Sequence, residues 1–109
     1  MEHLNFSFSS KKPELKHSEI ICGVVGSGNL EVFVSELADK SRCEIEIKTS
    51  ATGFKPVWEA VLTEFIHRHA VGGLKFQLND MGATPAVVSL RLSQAVAILK
   101  DDQHAYIIY

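Results

Sequence analysis

Ser41-Arg42-Cys43-Glu44-Ile45-Glu46-Ile47-Lys48-Thr49 (residues 41–49) puts Cys43, Ile45 and Ile47 on one side and Arg42, Glu44, Glu46 and Lys48 on the other. Side chains alternate across a strand, so this stretch is a strand with one apolar and one wet face. The period then changes. Phe54, Val57, Trp58, Val61, Leu62, Phe65 and Ile66 follow i, i+3, i+4, i+7 spacing, which is a helix whose apolar stripe faces a core. Pro56 suits its first turn, and Gly72-Gly73 is expected to end it. Leu74, Phe76 and Leu78 then alternate with Lys75, Gln77 and Asn79, a second strand. If the strands of this 41–80 unit are neighbours, they pair in parallel through a right-handed crossover.

The pattern extends in both directions. Upstream, Leu4, Phe6 and Phe8 alternate with His3, Asn5 and Ser7 as a half-buried strand, and residues 9–18, polar with Pro13, read as an exposed connection. Ile20 to Val25 is a short β-branched run. Gly26-Ser27-Gly28-Asn29 is a turn signal, and Leu30, Val32 and Val34 alternate beyond it. Two strands around a glycine-rich turn read as a hairpin. Downstream, the loop from Asn79 to Ala83 leads to Thr84-Pro85, with Thr at the N-cap and Pro at the first helical position. That helix is expected to run to about Leu99, with Val88, Leu92, Ala95 and Leu99 inward. Residues 100–109 carry no decisive pattern: Tyr106 to Tyr109 fits an edge strand or a solvated tail. The order ββββαβα predicts an α+β fold: a mixed, largely antiparallel sheet of about five strands with two helices packed on one face.

A chain of 109 residues is expected to form a single domain. With 46% hydrophobic and 22% charged residues it has the material for a core, which argues against disorder. A net charge of −2 without a basic cluster argues against nucleic acid as a partner. No apolar run has the length of a membrane span. The start, Met1-Glu2-His3-Leu4, lacks the pattern of a signal peptide. A cytoplasmic protein is therefore expected. Cys22 and Cys43 have no metal or redox spacing and are expected to be buried and reduced.

Three places hold residues with chemical potential. Gly26 and Gly28 flank Ser27 and strip side chains from both sides of its hydroxyl, so an attaching enzyme could reach it. The competing reading makes Ser27 an ordinary turn residue. A nucleophile elbow needs G-x-S-x-G between strand and helix, whereas this Gly-Ser-Gly lies between two strands. None of the five histidines has a context suited to a catalytic base, and His67 and His69 face different ways on a helix. The second place is Asn79 to Pro85, where Asp80, Gly82 and Thr84 lead into a helix N-terminus, an anion site if it is not simply a capped start. The third is Arg91, a partner for Asp80 or Glu31, a residue of the wet face, or a phosphate ligand. The stripe around Trp58 reads as core.

Gly23-Val24-Val25-Gly26-Ser27-Gly28-Asn29-Leu30-Glu31-Val32 resembles the prosthetic-group segment of the acyl-carrier (delta) subunit family of bacterial malonate decarboxylase. Gly53-Phe54 with Val57-Trp58 and Val61-Leu62 resembles that family's first-helix block. Asn79 to Pro85, with Val87-Val88, Leu90-Arg91-Leu92 and Gln94-Ala95, resembles its second-helix block. The citrate lyase carrier subunit is more distantly similar. The resemblance implies a non-catalytic carrier, with 2′-(5″-phosphoribosyl)-3′-dephospho-CoA joined to Ser27 by a phosphodiester. Its thiol would bear acetyl and malonyl groups. The implied partners are the transferase and decarboxylase subunits, a malonyltransferase and the enzyme that attaches the arm. Asp80, Gly82, Thr84 and Arg91 become candidates for contacts with the arm or a partner. No metal is implied. The alternative is an unmodified interaction or scaffold subunit, in which the Ser27 turn is a contact loop.

Overall fold

The computed structural model describes residues 1–15, 20–23 and 29–100, with side chains at 1–15 and 29–100. Its elements are β1 (Glu2–Ser9), β2 (Ile20–Gly23), β3 (Leu30–Glu36), β4 (Arg42–Thr49), α1 (Lys55–Arg68), β5 (Leu74–Asp80) and α2 (Pro85–Lys100). The five strands form one sheet in the order β1-β4-β5-β3-β2. β4 and β5 pair in parallel, as the strand-helix-strand pattern requires of neighbours, and the other three pairings are antiparallel. The α+β class, the mixed sheet and the pairing of β2 with β3 agree with the sequence. Residues 24–28, with all but Asn29 of the expected Gly26–Asn29 turn, the last residues of the 9–18 connection and the tail from 101 lie outside the described residues.

Period two decides which face is dry. Leu30, Val32 and Val34 of β3 lie opposite Asp80, Leu78 and Phe76 of β5, and Cys43, Ile45 and Ile47 of β4 continue that layer; all but Asp80 are apolar, and every one is buried. Leu4 is buried beside them, with Phe6 and Phe8 half-buried on the same core. Glu31, Glu44, Glu46, Lys48 and Lys75 occupy alternate positions and face away. Both helices cover the apolar face. Trp58, Leu62 and Phe65 come from α1, and Val88, Leu92, Ala95 and Leu99 from α2. Phe65 meets Phe76 edge-on, with ring centroids 5.5 Å apart and planes at 83°. Such a pair contributes about 0.5–1.5 kcal/mol beyond its burial.

Three expectations need correction. α1 ends at Arg68, where His69 turns extended, so Gly72-Gly73 is not its stop. Those glycines belong to a separate crossing, where the Gly72 N–H donates to the Lys11 carbonyl and the Val71 N–H to Ser10 Oγ. The 9–18 connection is therefore not simply exposed: Ser10 and Lys11 are tied down, and Leu15 packs on the core. Two members of the α1 stripe, Phe54 and Val57, stay exposed at the helix start.

Cys43 is fully buried, and burial pushes its thiol up to about 12, with Glu44 adding to the rise. Its thiolate fraction at neutral pH is then about a thousandfold below that of a free cysteine. In a Cys22→Ser background, the native chain should react with a thiol reagent only as fast as it opens, and unfolding in urea should release the full rate. Rapid labelling of the native chain would contradict this packing.

Candidate functional site

Parallel pairing brings the carboxyl ends of β4 and β5, Thr49 and Asp80, to one end of the sheet. β3 runs opposite to β5 and starts there, with Leu30 beside Asp80. Both helices also begin at this end. Two of the three places singled out in the sequence, the Asn79–Pro85 turn and Arg91 of α2, converge there on Asn29, two residues after Ser27 in sequence.

Asp80 is only 4% exposed, and both its oxygens are engaged. Thr49 donates its hydroxyl to Oδ2 (2.8 Å), and Ala83 donates its backbone N–H to Oδ1 (2.8 Å). Thr49 Oγ1 in turn accepts from the Ala51 N–H at 3.1 Å. A buried carboxylate that accepts on both oxygens is a structural clamp, and its hydrogen bonds offset the cost of its burial. It locks the end of β4 to the turn after β5. Gly82 sits at φ +90°, a backbone angle that L side chains rarely adopt, which explains glycine at this point of the turn. Thr84 caps α2: its hydroxyl accepts from the Val87 N–H at 3.3 Å and its carbonyl from the Val88 N–H at 3.0 Å. Pro85 brings no N–H. The capped-start reading of this helix end therefore holds, and its anion-binding capacity is reduced.

The same turn grips Asn29. The Met81 N–H donates to the Asn29 carbonyl at 3.0 Å, and Arg91 Nη2 donates to Asn29 Oδ1 at 3.2 Å. Arg91 Nη1 donates to Gln94 Oε1 at 3.0 Å. The Arg91 partners expected from sequence, Asp80 and Glu31, are occupied elsewhere: Glu31 accepts from Asn79 Nδ2 at 2.9 Å. Arg91 Nε is buried and has no acceptor among the described residues. Ser27, Gly26 and Gly28 lie outside the described residues. Asn29 was not singled out as a site residue. The available signal was Arg91 itself, which helical spacing sets beside the Val88–Leu92–Ala95 stripe rather than opposite it.

A groove of about 330 Å³ opens between the two helix starts. Phe54, Val57, Trp58 and Val61 line one side, Pro85 and Val88 the other, and Thr49 and Asp80 also border it. Trp58 is thus both core and groove wall. Among the described residues no cluster of histidine, cysteine and carboxylate side chains could hold a metal, and no helix is long and apolar enough to cross a membrane. His3 and His67 are exposed, while His69 packs on the Phe65 ring at the far end of α1.

Comparison with known proteins adds the following. The profile of the malonate decarboxylase delta subunit family matches residues 17–99. The malonate decarboxylase acyl carrier protein of Acinetobacter calcoaceticus is 58% identical over 102 residues, covering 94% of this chain and all of the relative. That of Burkholderia cepacia is 54% identical over 97 residues, 89% of each chain. Among solved structures, a chain of a Pseudomonas malonate decarboxylase hetero-tetramer, in complex with malonate, superposes with a TM-score of 0.76 at 33% identity, over 86% of this chain and 94% of that one.

Proposed function

Because the chain belongs to the malonate decarboxylase delta subunit family, whose members are that enzyme's acyl carrier proteins, we propose that Ser27 carries a 2′-(5″-phosphoribosyl)-3′-dephospho-CoA arm through a phosphodiester. The arm's thiol supplies the thioester chemistry for acetyl and malonyl groups. The chain itself contributes no catalytic group. It provides the attachment point, tethers the acyl group at high effective concentration, and offers surfaces to the other malonate decarboxylase subunits, to a malonyltransferase and to the enzyme that installs the arm. The cytoplasm is its expected place.

One observation carries this reading: the double grip on Asn29, two residues after Ser27, by Met81 and Arg91. A serine that must be presented to several enzymes in turn needs a fixed base and a free side chain. The residues present also fit a phosphodiester. Arg91, whose buried Nε has no acceptor among the described residues, brings a guanidinium against Asn29, two residues after Ser27 in sequence. A guanidinium recognises phosphate oxygens through paired N–H donors. Asp80, Gly82 and Thr84 serve the same end indirectly, by fixing the turn that holds Asn29.

The test is the intact mass of the chain produced together with the prosthetic-group transferase and its donor. The expected result is an increase equal to phosphoribosyl-dephospho-CoA, absent in a Ser27→Ala control. No increase with an active transferase would return Ser27 to a turn residue and favour an unmodified interaction subunit. Arg91→Ala should slow arm attachment by about tenfold or more, the loss of one charge-assisted hydrogen bond. Arg91→Lys should recover part of the rate. Equal rates for wild type and Arg91→Ala would remove Arg91 from the site.

A further inference from the structure

The groove between the helix starts combines an apolar wall with an acidic border. Phe54 and Val57 stand at its mouth, 51% and 42% exposed, and Trp58, Val61 and Val88 continue the wall inward. The two polar side chains that border it satisfy each other: Thr49 donates to Asp80, and the second Asp80 oxygen is taken by the Ala83 N–H. Those two side chains thus keep no donor free for a carboxylate, and they set one beside it. A small uncharged acyl group suits such a lining, and the Asp80 carboxylate disfavours a second carboxylate beside it.

The groove also adjoins the turn that holds Asn29, two residues after Ser27 in sequence. Gly82 and Ala83 line it, and Met81, one residue earlier, holds the Asn29 carbonyl. Resting on the carrier reading above, we propose that this groove receives the acetyl-thioester end of the arm and rejects the malonyl form. Tethering gives the acyl end an effective concentration of about 1 mM, so a groove of about millimolar affinity is filled about half the time. The acetyl thioester is then partly shielded from water between reactions. Exchange with malonate, which leaves a malonyl thioester on the arm and releases acetate, introduces a carboxylate, which Asp80 repels, and the arm swings out toward the subunit that decarboxylates it. The same surface thus distinguishes the two acyl states without a conformational change in the fold.

Trp58 is the only tryptophan of the chain and lines the groove, so its emission reports occupancy. The acetyl-loaded and malonyl-loaded forms, each verified by intact mass, are compared with the unmodified chain. The expected result is a changed Trp58 emission and shifted methyl resonances of Val57, Val61 and Val88 in the acetyl form alone. Val57→Asp, at an exposed position in the first turn of α1 where an acidic side chain suits the helix, should abolish the change. Hydroxylamine should also cleave the acetyl thioester of the wild type at about half the rate found in Val57→Asp. Identical spectra for the acetyl and malonyl forms, with the arm present by mass, overturn the proposal and leave the carrier reading standing. A chain that accepts no arm from an active transferase overturns both.

Discussion

A Ser27→Ala chain is expected to fold and to assemble, yet to support no malonate decarboxylation above background, a loss of at least about a thousandfold in the reconstituted complex. The size of the effect follows from what the hydroxyl does in the proposed function. It is the sole covalent link between chain and thiol, so its removal takes away every acyl-transfer step at once. Free acyl groups at cellular concentrations do not replace a tethered one. Stability, by contrast, should barely move. The buried apolar residues described in the core are Leu4 and residues between Leu30 and Leu99, and the substitution deletes one oxygen in a connection between strands. A change of that kind costs within about 0.5 kcal/mol. The informative measurement is therefore a set of three: intact mass, melting temperature and turnover after mixing with the partner subunits. Lost mass shift and lost turnover at an unchanged melting temperature support the carrier. Retained turnover would make the chain an interaction subunit that needs no arm.

The frame of the molecule could be read from the residues because its signals are local. Alternation over 42–49 and 74–78, and the helical spacing of Trp58, Leu62 and Phe65, each depend only on neighbours in sequence. Thr84-Pro85 marked the start of α2 for the same reason. The site was only partly legible, because its contacts join distant segments. Asp80 pairs with Thr49 across 31 residues, and Arg91 reaches Asn29 across 62. Neither pairing leaves a periodic trace. Asp80 in sequence is an ordinary polar residue in a loop; only the parallel register that sets it opposite Thr49 makes it a buried clamp. Phe54 and Val57 show the opposite failure. Their spacing assigned them to the core, but they sit where α1 begins, exposed on the wall of the groove.

Gly72 belongs with the distant contacts, and it carries the largest stability effect expected for a single methyl group. In sequence it reads as a helix stop. In the fold it sits where three stretches of backbone cross: its own N–H donates to the Lys11 carbonyl, the Gly73 N–H donates to the Arg42 carbonyl, and the Leu37 N–H donates to the Gly73 carbonyl, each at 2.8 Å. A Cβ at Gly72 would collide with the Ser10 and Lys40 carbonyl oxygens and the Lys11 carbonyl carbon, all of them backbone atoms. Backbone cannot rotate aside as a side chain does, so relief requires pulling apart hydrogen bonds that hold the end of β1 to the start of β5. Gly72→Ala should therefore cost about 3 kcal/mol or more, and lower the melting temperature by roughly 15 °C. Two other glycines calibrate the result. Gly53 has φ +83° with open space around its missing Cβ, so Gly53→Ala should cost only the conformational strain, about 1–2 kcal/mol. Gly73, at φ +86°, would meet the Lys40 side chain, whose far end is flexible, and should fall between the two. Thermal melts of the three alanine variants give the order directly. If Gly72→Ala melts no lower than Gly53→Ala, the crossing yields without cost, and the segments around Ser10 and Lys40 are not the rigid seam that fixes β1 to the rest of the sheet.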